Sequence, residues 1–124
     1  MILIGDTNID HEQIVKISSI SDISSTPSNS TVLFTFDFEI LKYTQTQAIN
    51  SAVIVSSIKE VIYASNLGAC YIIPTQEILQ QSQKIADNYM FDSKILAIID
   101  DESQIEKIAL DEIDGAIYKN ILND

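Results

Sequence analysis

Five side chains that come after short apolar runs have the types best suited to chemistry. Asp6 comes after ILI, Asp37 after VLFTF, Ser56 after AVIV, Asp100 after ILAII and Lys119 after AIY. Carboxylate and hydroxyl oxygens suit a hard cation such as Mg²⁺, and a lysine can neutralise phosphate oxygens. Open parallel sheets bind ligands beyond the carboxyl ends of their strands. We therefore call these five residues the acidic rim and predict that they lie along one edge of a sheet.

The apolar runs themselves predict the strands of that sheet. They begin at Ile2, Val32, Ala52, Cys70, Ile95 and Ala116. The runs are rich in Ile and Val and do not alternate with polar residues, which is typical of strands buried on both faces. The segment IVK from Ile14 is a candidate for one more strand. A mainly parallel sheet covered by helices is expected.

The segments between the runs carry helix signals. Ser57 and Glu60 form a capping-box pattern, and Gly68 is a helix stop. The stretch from Thr75 to Phe91 places its apolar residues on one broad stripe, which predicts an amphipathic helix; these residues are Ile78, Leu79, Ile85, Tyr89 and Met90. A further helix is predicted after Asp101. Ser57, Thr75 and Asp101 are interpreted as helix caps, and capping is also the simplest alternative role for the rim.

Together these signals predict a single α/β domain over residues 1–124. The expected architecture has three layers, with a mainly parallel sheet of five or six strands, as in flavodoxin-like and receiver-like folds. Residues 18–31 are serine-rich and are expected to form a loop or irregular segment, with one helical turn at SDISST.

Charge limits the classes of partner. The net charge is −11, and all seven basic residues are lysines. Without arginine, and under this negative field, nucleic-acid binding is not expected, and anionic membranes would repel the chain. A positively charged protein face or a divalent metal would be favoured, although the charge also serves solubility. No leader or membrane-spanning pattern is present, so a cytoplasmic location is expected.

Other catalytic arrangements lack their residues. His11 is the only histidine, so a Ser/His/Asp triad or a histidine-rich metal site cannot be built, and His11 is expected on the surface. Cys70 is the only cysteine and is interpreted as a small buried hydrophobe. The three glycines form no phosphate-binding loop.

The first two thirds of the chain resemble response-regulator receiver domains. ILIGD, ending at Asp6, is similar to the first receiver strand, and TVLFTFD, ending at Asp37, resembles the strand that carries the phospho-acceptor aspartate. AVIVSS is similar to the strand that ends in Ser or Thr. NLGACYIIP resembles the stretch with the switch aromatic and catalytic lysine: Tyr71 and Pro74 match, but Ile73 stands where the lysine belongs. The resemblance, over residues 2–83, implies a receiver-like fold without phosphorylation chemistry.

Two functions follow as hypotheses. The first is a non-enzymatic, receiver-like interaction or regulatory module that binds a protein partner or itself and needs no cofactor. The alternative is a small Mg²⁺-dependent or phosphate-ligand enzyme, or a ligand-binding protein, that uses the acidic rim. The steps AVIVSSIKEVIYASNLGACYII and ILAIIDDESQIEKIALDEIDGAIYK also resemble those of phosphate-binding barrel enzymes. Because 124 residues cannot form a full eight-unit barrel, that reading requires a half-barrel completed by dimerisation.

Overall fold

Seven short strands pair side by side, and every pair is parallel. The computed structural model describes residues 1–123. The strands are β1 (Ile2–Ile4), β2 (Ile14–Lys16), β3 (Thr31–Thr35), β4 (Ser51–Val55), β5 (Tyr71–Pro74), β6 (Lys94–Ile99) and β7 (Gly115–Tyr118). Each of the six predicted runs overlaps a strand. The segment from Ile14 adds β2, so the expected number of five or six strands was too low.

The described residues 1–123 also form five helices and three 3₁₀ turns, and the last helix follows the last strand. The helices are α1 (Phe38–Thr46), α2 (Ile58–Asn66), α3 (Leu79–Asn88), α4 (Ile105–Leu110) and α5 (Lys119–Leu122), and the turns span Ile20–Ser25, Gln76–Ile78 and Glu102–Gln104. The predicted class, a single α/β domain with helices packed on a parallel sheet as in flavodoxin-like folds, is confirmed. The helical turn expected within the serine-rich segment is the first of the three 3₁₀ turns.

The strand order places most helices on one face. The order is β1-β7-β6-β5-β4-β3-β2, so from β2 to β7 each strand pairs with the next one along the chain. Right-handed crossovers that always step in the same direction put α1 to α4 on the same side of the sheet. Leu41, Val61 and Leu79 of these helices accordingly share a core with Val53 and Ile72. The opposite face of the sheet has its own cluster, which α5 joins through Leu122: Ile4, Leu33, Ala52, Ile73, Leu96 and Ile117.

Two hydrogen bonds show that the sheet curls towards the face that carries α5. Lys16 Nζ, at the end of β2, donates to the carbonyl oxygen of Leu122 at 2.8 Å. Tyr71 Oη, at the start of β5, donates to Glu12 Oε2, just before β2, at 2.9 Å. In a flat sheet β2 and β7 would lie about 24 Å apart, and the single turn of α5 spans only about 6 Å. The face with α5 is therefore concave, and the helix-covered face is convex.

The first four helices end in the same way. Each is followed by a residue with positive φ: Ala48 (56°), Gly68 (84°), Met90 (52°) and Glu112 (62°). The amide of the next residue then bonds back into the last turn, as Phe91 N does to Ala86 O at 2.9 Å. This left-handed C-terminal motif satisfies carbonyls that would otherwise lack partners. The predicted stop at Gly68 is confirmed, but the other three positions use residues that pay a steric cost there.

Candidate functional site

The acidic rim does lie along one edge, because all seven strands run in the same direction. Its carboxylates are nevertheless not brought together. Asp6 follows β1 and Asp37 follows β3, and four other strands separate these two in the sheet. The two carboxylates are therefore too far apart to act on one ligand. Within residues 1–123, no group of three His, Cys, Asp or Glu side chains is close enough to hold a metal ion.

One rim carboxylate is paired across two strands. Tyr118 Oη, at the end of β7, donates to Asp6 Oδ2 at 2.6 Å, and the amide of Asn8 donates to Asp6 Oδ1 at 2.8 Å. The phenol bond lowers the pKa of Asp6, and the same bond, with a smaller contribution from burial, raises the pKa of Tyr118 to about 12. A depression of about 350 Å³ lies beside the pair. It is lined by Gly5, Asp6, Thr7, Asp101, Glu102, Tyr118 and Asn120.

Three other rim residues bond to the helix starts. Asp37 Oδ1 accepts the amide of Ile40 at 3.1 Å, which makes Asp37 the N-cap of α1. The amide of Ser56 donates to Glu60 Oε1 at 2.8 Å, and the amide of Asp100 donates to Gln104 Oε1 at 2.6 Å. Lys119 is exposed at the first position of α5. Capping thus accounts for the placement of Asp37, and hydrogen bonds to the next helical segment hold Ser56 and Asp100.

The predicted caps are present in part. Ser57 Oγ accepts the amide of Glu60 at 3.2 Å, so Ser57 caps α2 as expected. The Glu60 carboxylate, however, returns to the amide of Ser56 instead of that of Ser57. Asp101 accepts the amide of Ser103 at 2.9 Å and is a cap. Thr75 precedes its turn without a side-chain cap bond.

The positions that carry the receiver resemblance have structural roles. Ile73, at the place of the receiver lysine, is fully buried in the concave core. Burial, reinforced by the bond to Glu12, raises the pKa of Tyr71 to about 12.

Cys70 is only half-buried and its thiol lies 3.6 Å from Asn50 Oδ1, so its interpretation as buried core was wrong. His11 is exposed, as expected.

Sequence reasoning missed an apolar depression on the convex side between α2 and α3. We call it the α2–α3 groove; it has a volume of about 540 Å³. Its lining residues are Ile62, Ser65, Asn66, Ile85, Tyr89, Met90, Phe91 and Asp92. Tyr89 is 75% exposed and Met90 is 85% exposed. Their positions on the apolar stripe of the predicted helix had instead indicated that both side chains are buried.

The cause of the exposure is the end of α3. The helix stops at Asn88, and Met90 adopts φ of 52°, so the chain turns before these two side chains can follow the stripe. Leu79 is buried as the stripe predicts, and Ile85 is half-buried at the wall of the groove. The sequence gives only a weak signal for the turn, because neither Gly nor Pro marks the position after Asn88.

Phe36, Phe38 and Tyr63 form an aromatic row. Phe38 packs edge-on against both Phe36 and Tyr63, with ring centroids 4.9 Å apart in each pair. Phe38 and Tyr63 are both 43% exposed, although they contact each other. Tyr63 is the neighbour of Ile62 on α2. Exposed apolar side chains therefore occur on α1, on α2 and directly after α3.

No protein-family model matches the chain, and no curated protein sequence matches it. Within residues 1–123, no helix has the length and apolar character needed to cross a membrane.

Proposed function

We propose that the chain is a non-enzymatic, receiver-like interaction or regulatory module that binds a protein partner through the α2–α3 groove. The observation that carries this proposal is the exposure of Tyr89 and Met90 in the lining of an apolar depression. Single exposed apolar residues are ordinary, but a cluster around a groove is typical of an interaction site. Ile62, 43% exposed in the same groove, makes this a cluster.

The residues at the places of the receiver's phosphorylation site also support a non-enzymatic module. Asp37 is a helix cap, and Ile73 provides no amine for phosphate oxygens. A phosphorylation site would need an acceptor carboxylate that is not engaged in capping a helix, neighbouring carboxylates for Mg²⁺ and a lysine. The module would therefore act without phosphorylation and without a cofactor. We propose that it acts in the cytoplasm, where a single unpaired cysteine is ordinary. Its ligand would be a protein partner or a second copy. We do not expect it to bind nucleic acid or a membrane.

The test removes the apolar anchors and keeps the fold. A double variant, Tyr89→Ser with Met90→Ser, should fold normally because both side chains are largely exposed. Leu110→Ser is the matched control, because Leu110 is 77% exposed on α4 and lies outside the groove. The wild type and both variants are immobilised, and proteins captured from the source cells are quantified by mass spectrometry.

The proposal expects a defined set of proteins that the wild type and Leu110→Ser retain and the double variant loses. Equal capture by all three baits would show that the groove is not the binding surface. A hot-spot aromatic typically contributes about 2 kcal/mol to binding, which corresponds to roughly a thirtyfold loss of affinity.

A second candidate is a small Mg²⁺-dependent or phosphate-ligand enzyme or ligand-binding protein. The depression beside Asp6 and Tyr118 is the observation that favours it, because it lies at the carboxyl ends of β1 and β7. A dimeric half-barrel is the form in which a chain of this size could complete such a site.

Thermal unfolding with Mg²⁺ and beryllofluoride, or with phosphate, separates the two candidates. Asp37→Asn and Asp6→Asn each remove one carboxylate, and asparagine at position 37 keeps the cap. The interaction module expects no ligand-dependent shift in any of the three proteins. A stabilisation of the wild type that Asp6→Asn or Asp37→Asn abolishes would favour the second candidate.

A further inference from the structure

We infer that the occupant of the α2–α3 groove is an amphipathic helix of another protein that carries lysine or arginine beside its apolar anchors. This inference rests on the proposed function and specifies its partner. It depends on the charge around the groove, on the apolar lining of the groove and on the charge of the whole chain.

The charge around the groove is negative. Ser65 and Asn66 line it at the last residues of α2, and Tyr89 lines it directly after α3. A helix C-terminus carries about half a negative charge, and neither helix has a basic residue in its last turn. Asp92 adds a full negative charge to the lining. Lys84 of α3 lines a different depression, and Lys94 of β6 lines one that shares Ser65 and Asp92 with the groove. Neither lysine lines the groove itself, so Asp92 is the charged side chain of its lining.

The lining of the groove offers apolar contacts to side chains that repeat along one face of a helix. Ile62 comes from α2 and Ile85 from α3, so the groove has an apolar wall on each side. Tyr89 and Met90 also line it and are largely exposed. An amphipathic helix places anchors at positions i, i+3 or i+4 and i+7 into such a groove. The flexible Met90 side chain can adapt to them, and the Tyr89 ring can accept a partner cation on its face.

The charge of the whole chain disfavours a second copy as the occupant. Each copy has a net charge of −11 with only seven basic residues. A symmetric contact through the groove would bring Asp92 and the helix C-termini of one copy towards the same groups of its partner. Like charges in an interface oppose association, whereas a basic partner would be attracted and steered to the site.

The experiment selects binders from a random library of 16-residue peptides displayed on phage. The library is panned against the wild type, with counter-selection on the Tyr89→Ser, Met90→Ser double variant. Enriched peptides are synthesised, and their affinities are measured by fluorescence anisotropy at low and high salt. For each peptide, a matched version with glutamine in place of lysine and arginine is measured beside it.

We expect enriched peptides with a net positive charge and with apolar residues at helical spacing. Their affinity should fall at least about tenfold for the glutamine version, and it should weaken as salt rises. Groove-dependent peptides that are neutral or acidic would overturn the inference of a basic partner but leave the interaction function standing. If no peptide depends on the groove, the inference fails; if cellular capture also shows no dependence on Tyr89 and Met90, the proposed function fails as well.

Discussion

At the scale of single residues, the bond between Asp6 and Tyr118 has a consequence that does not depend on function. The bond holds the neutral phenol next to a carboxylate, since ionising Tyr118 would place two negative charges 2.6 Å apart. Tyr71 has a similar partner in Glu12 and is partly removed from water as well. Both tyrosines have a pKa of about 12 in the fold, above the ordinary value of 10.0.

The first prediction concerns alkaline pH. A phenol whose pKa is raised in the fold stabilises the protein fully below pH 10, and this contribution is lost as the pH rises from about 10 to about 12. The free energy of unfolding should therefore fall across this interval. A spectrophotometric titration of the native protein should show a late tyrosinate step near pH 12 that is smaller in Tyr118→Phe. If the late step is unchanged in this variant, the bond to Asp6 does not control Tyr118.

The second prediction separates stability from binding at Met90. Relief of the left-handed strain is worth about 1 kcal/mol and exceeds the extra entropy of glycine, about 0.5 kcal/mol. Met90→Gly should therefore raise the free energy of unfolding by about 0.5 kcal/mol, measured in urea, while it weakens capture of the partner. Glu112→Gly is the matched control, because Glu112 has a φ of 62° and lies outside the groove.

The control variant should gain similar stability and keep full binding. A Met90→Gly protein that bound its partner as well as the wild type would remove Met90 from the interaction surface. A loss of stability in both variants would instead show that the left-handed positions do not strain these residues.

At the scale of elements, local signals in the sequence were enough to find most strands and helix starts. Buried runs of Ile and Val predicted six of the strands, and Ser57 and Gly68 marked the start and stop of α2. The failures occurred where a local pattern was compatible with two environments. The apolar stripe predicted that Tyr89 and Met90 are buried, but α3 ends at Asn88 and both side chains are exposed. The periodic pattern of apolar residues does not show where the helix ends. Asp37 likewise was compatible with two roles, a phospho-acceptor aspartate and a helix cap.

The third prediction concerns the contact between β1 and β7. A Cβ atom on Gly115 would lie 2.5 Å from the carbonyl oxygen of Ile2 and 2.9 Å from Leu96 Cδ2. Since the first of these atoms is backbone, Gly115→Ala should push β1 away and cost about 3 kcal/mol. Gly68→Ala is the control: its Cβ would have space, 3.6 Å from Gln45 Cγ, and only the φ of 84° opposes it, at about 1 kcal/mol.

Chemical denaturation of the two glycine variants gives the comparison. An equal loss for both would mean that β1 adapts easily to a bulkier neighbour. In that case the position of Asp6 beside Tyr118, which depends on the pairing of β1 with β7, would not be rigid either.

At the scale of the whole molecule, the strand order was the feature that the sequence could not predict. Each βα step has the same local signals whether the next strand is added on the left or on the right of the sheet. The direction depends on long-range packing, and Leu122 in the concave core and the bond from Lys16 to Leu122 are two long-range contacts of the observed order. This order separates Asp6 from Asp37, so the residues of the acidic rim share one edge of the sheet without forming a cluster of carboxylates.

The last prediction follows from the two ends of the sheet. β4, β5 and β6 each pair on both sides, whereas β1 and β2 are three-residue strands that pair on one side. Amides of the central strands should therefore exchange with solvent only on global unfolding, and those of β2 should exchange through local opening at much lower free energy. Hydrogen exchange followed by NMR measures both. If β2 were protected as strongly as β5, and if this protection fell on dilution, a second copy would be pairing with the open edge. That outcome would support the dimeric half-barrel.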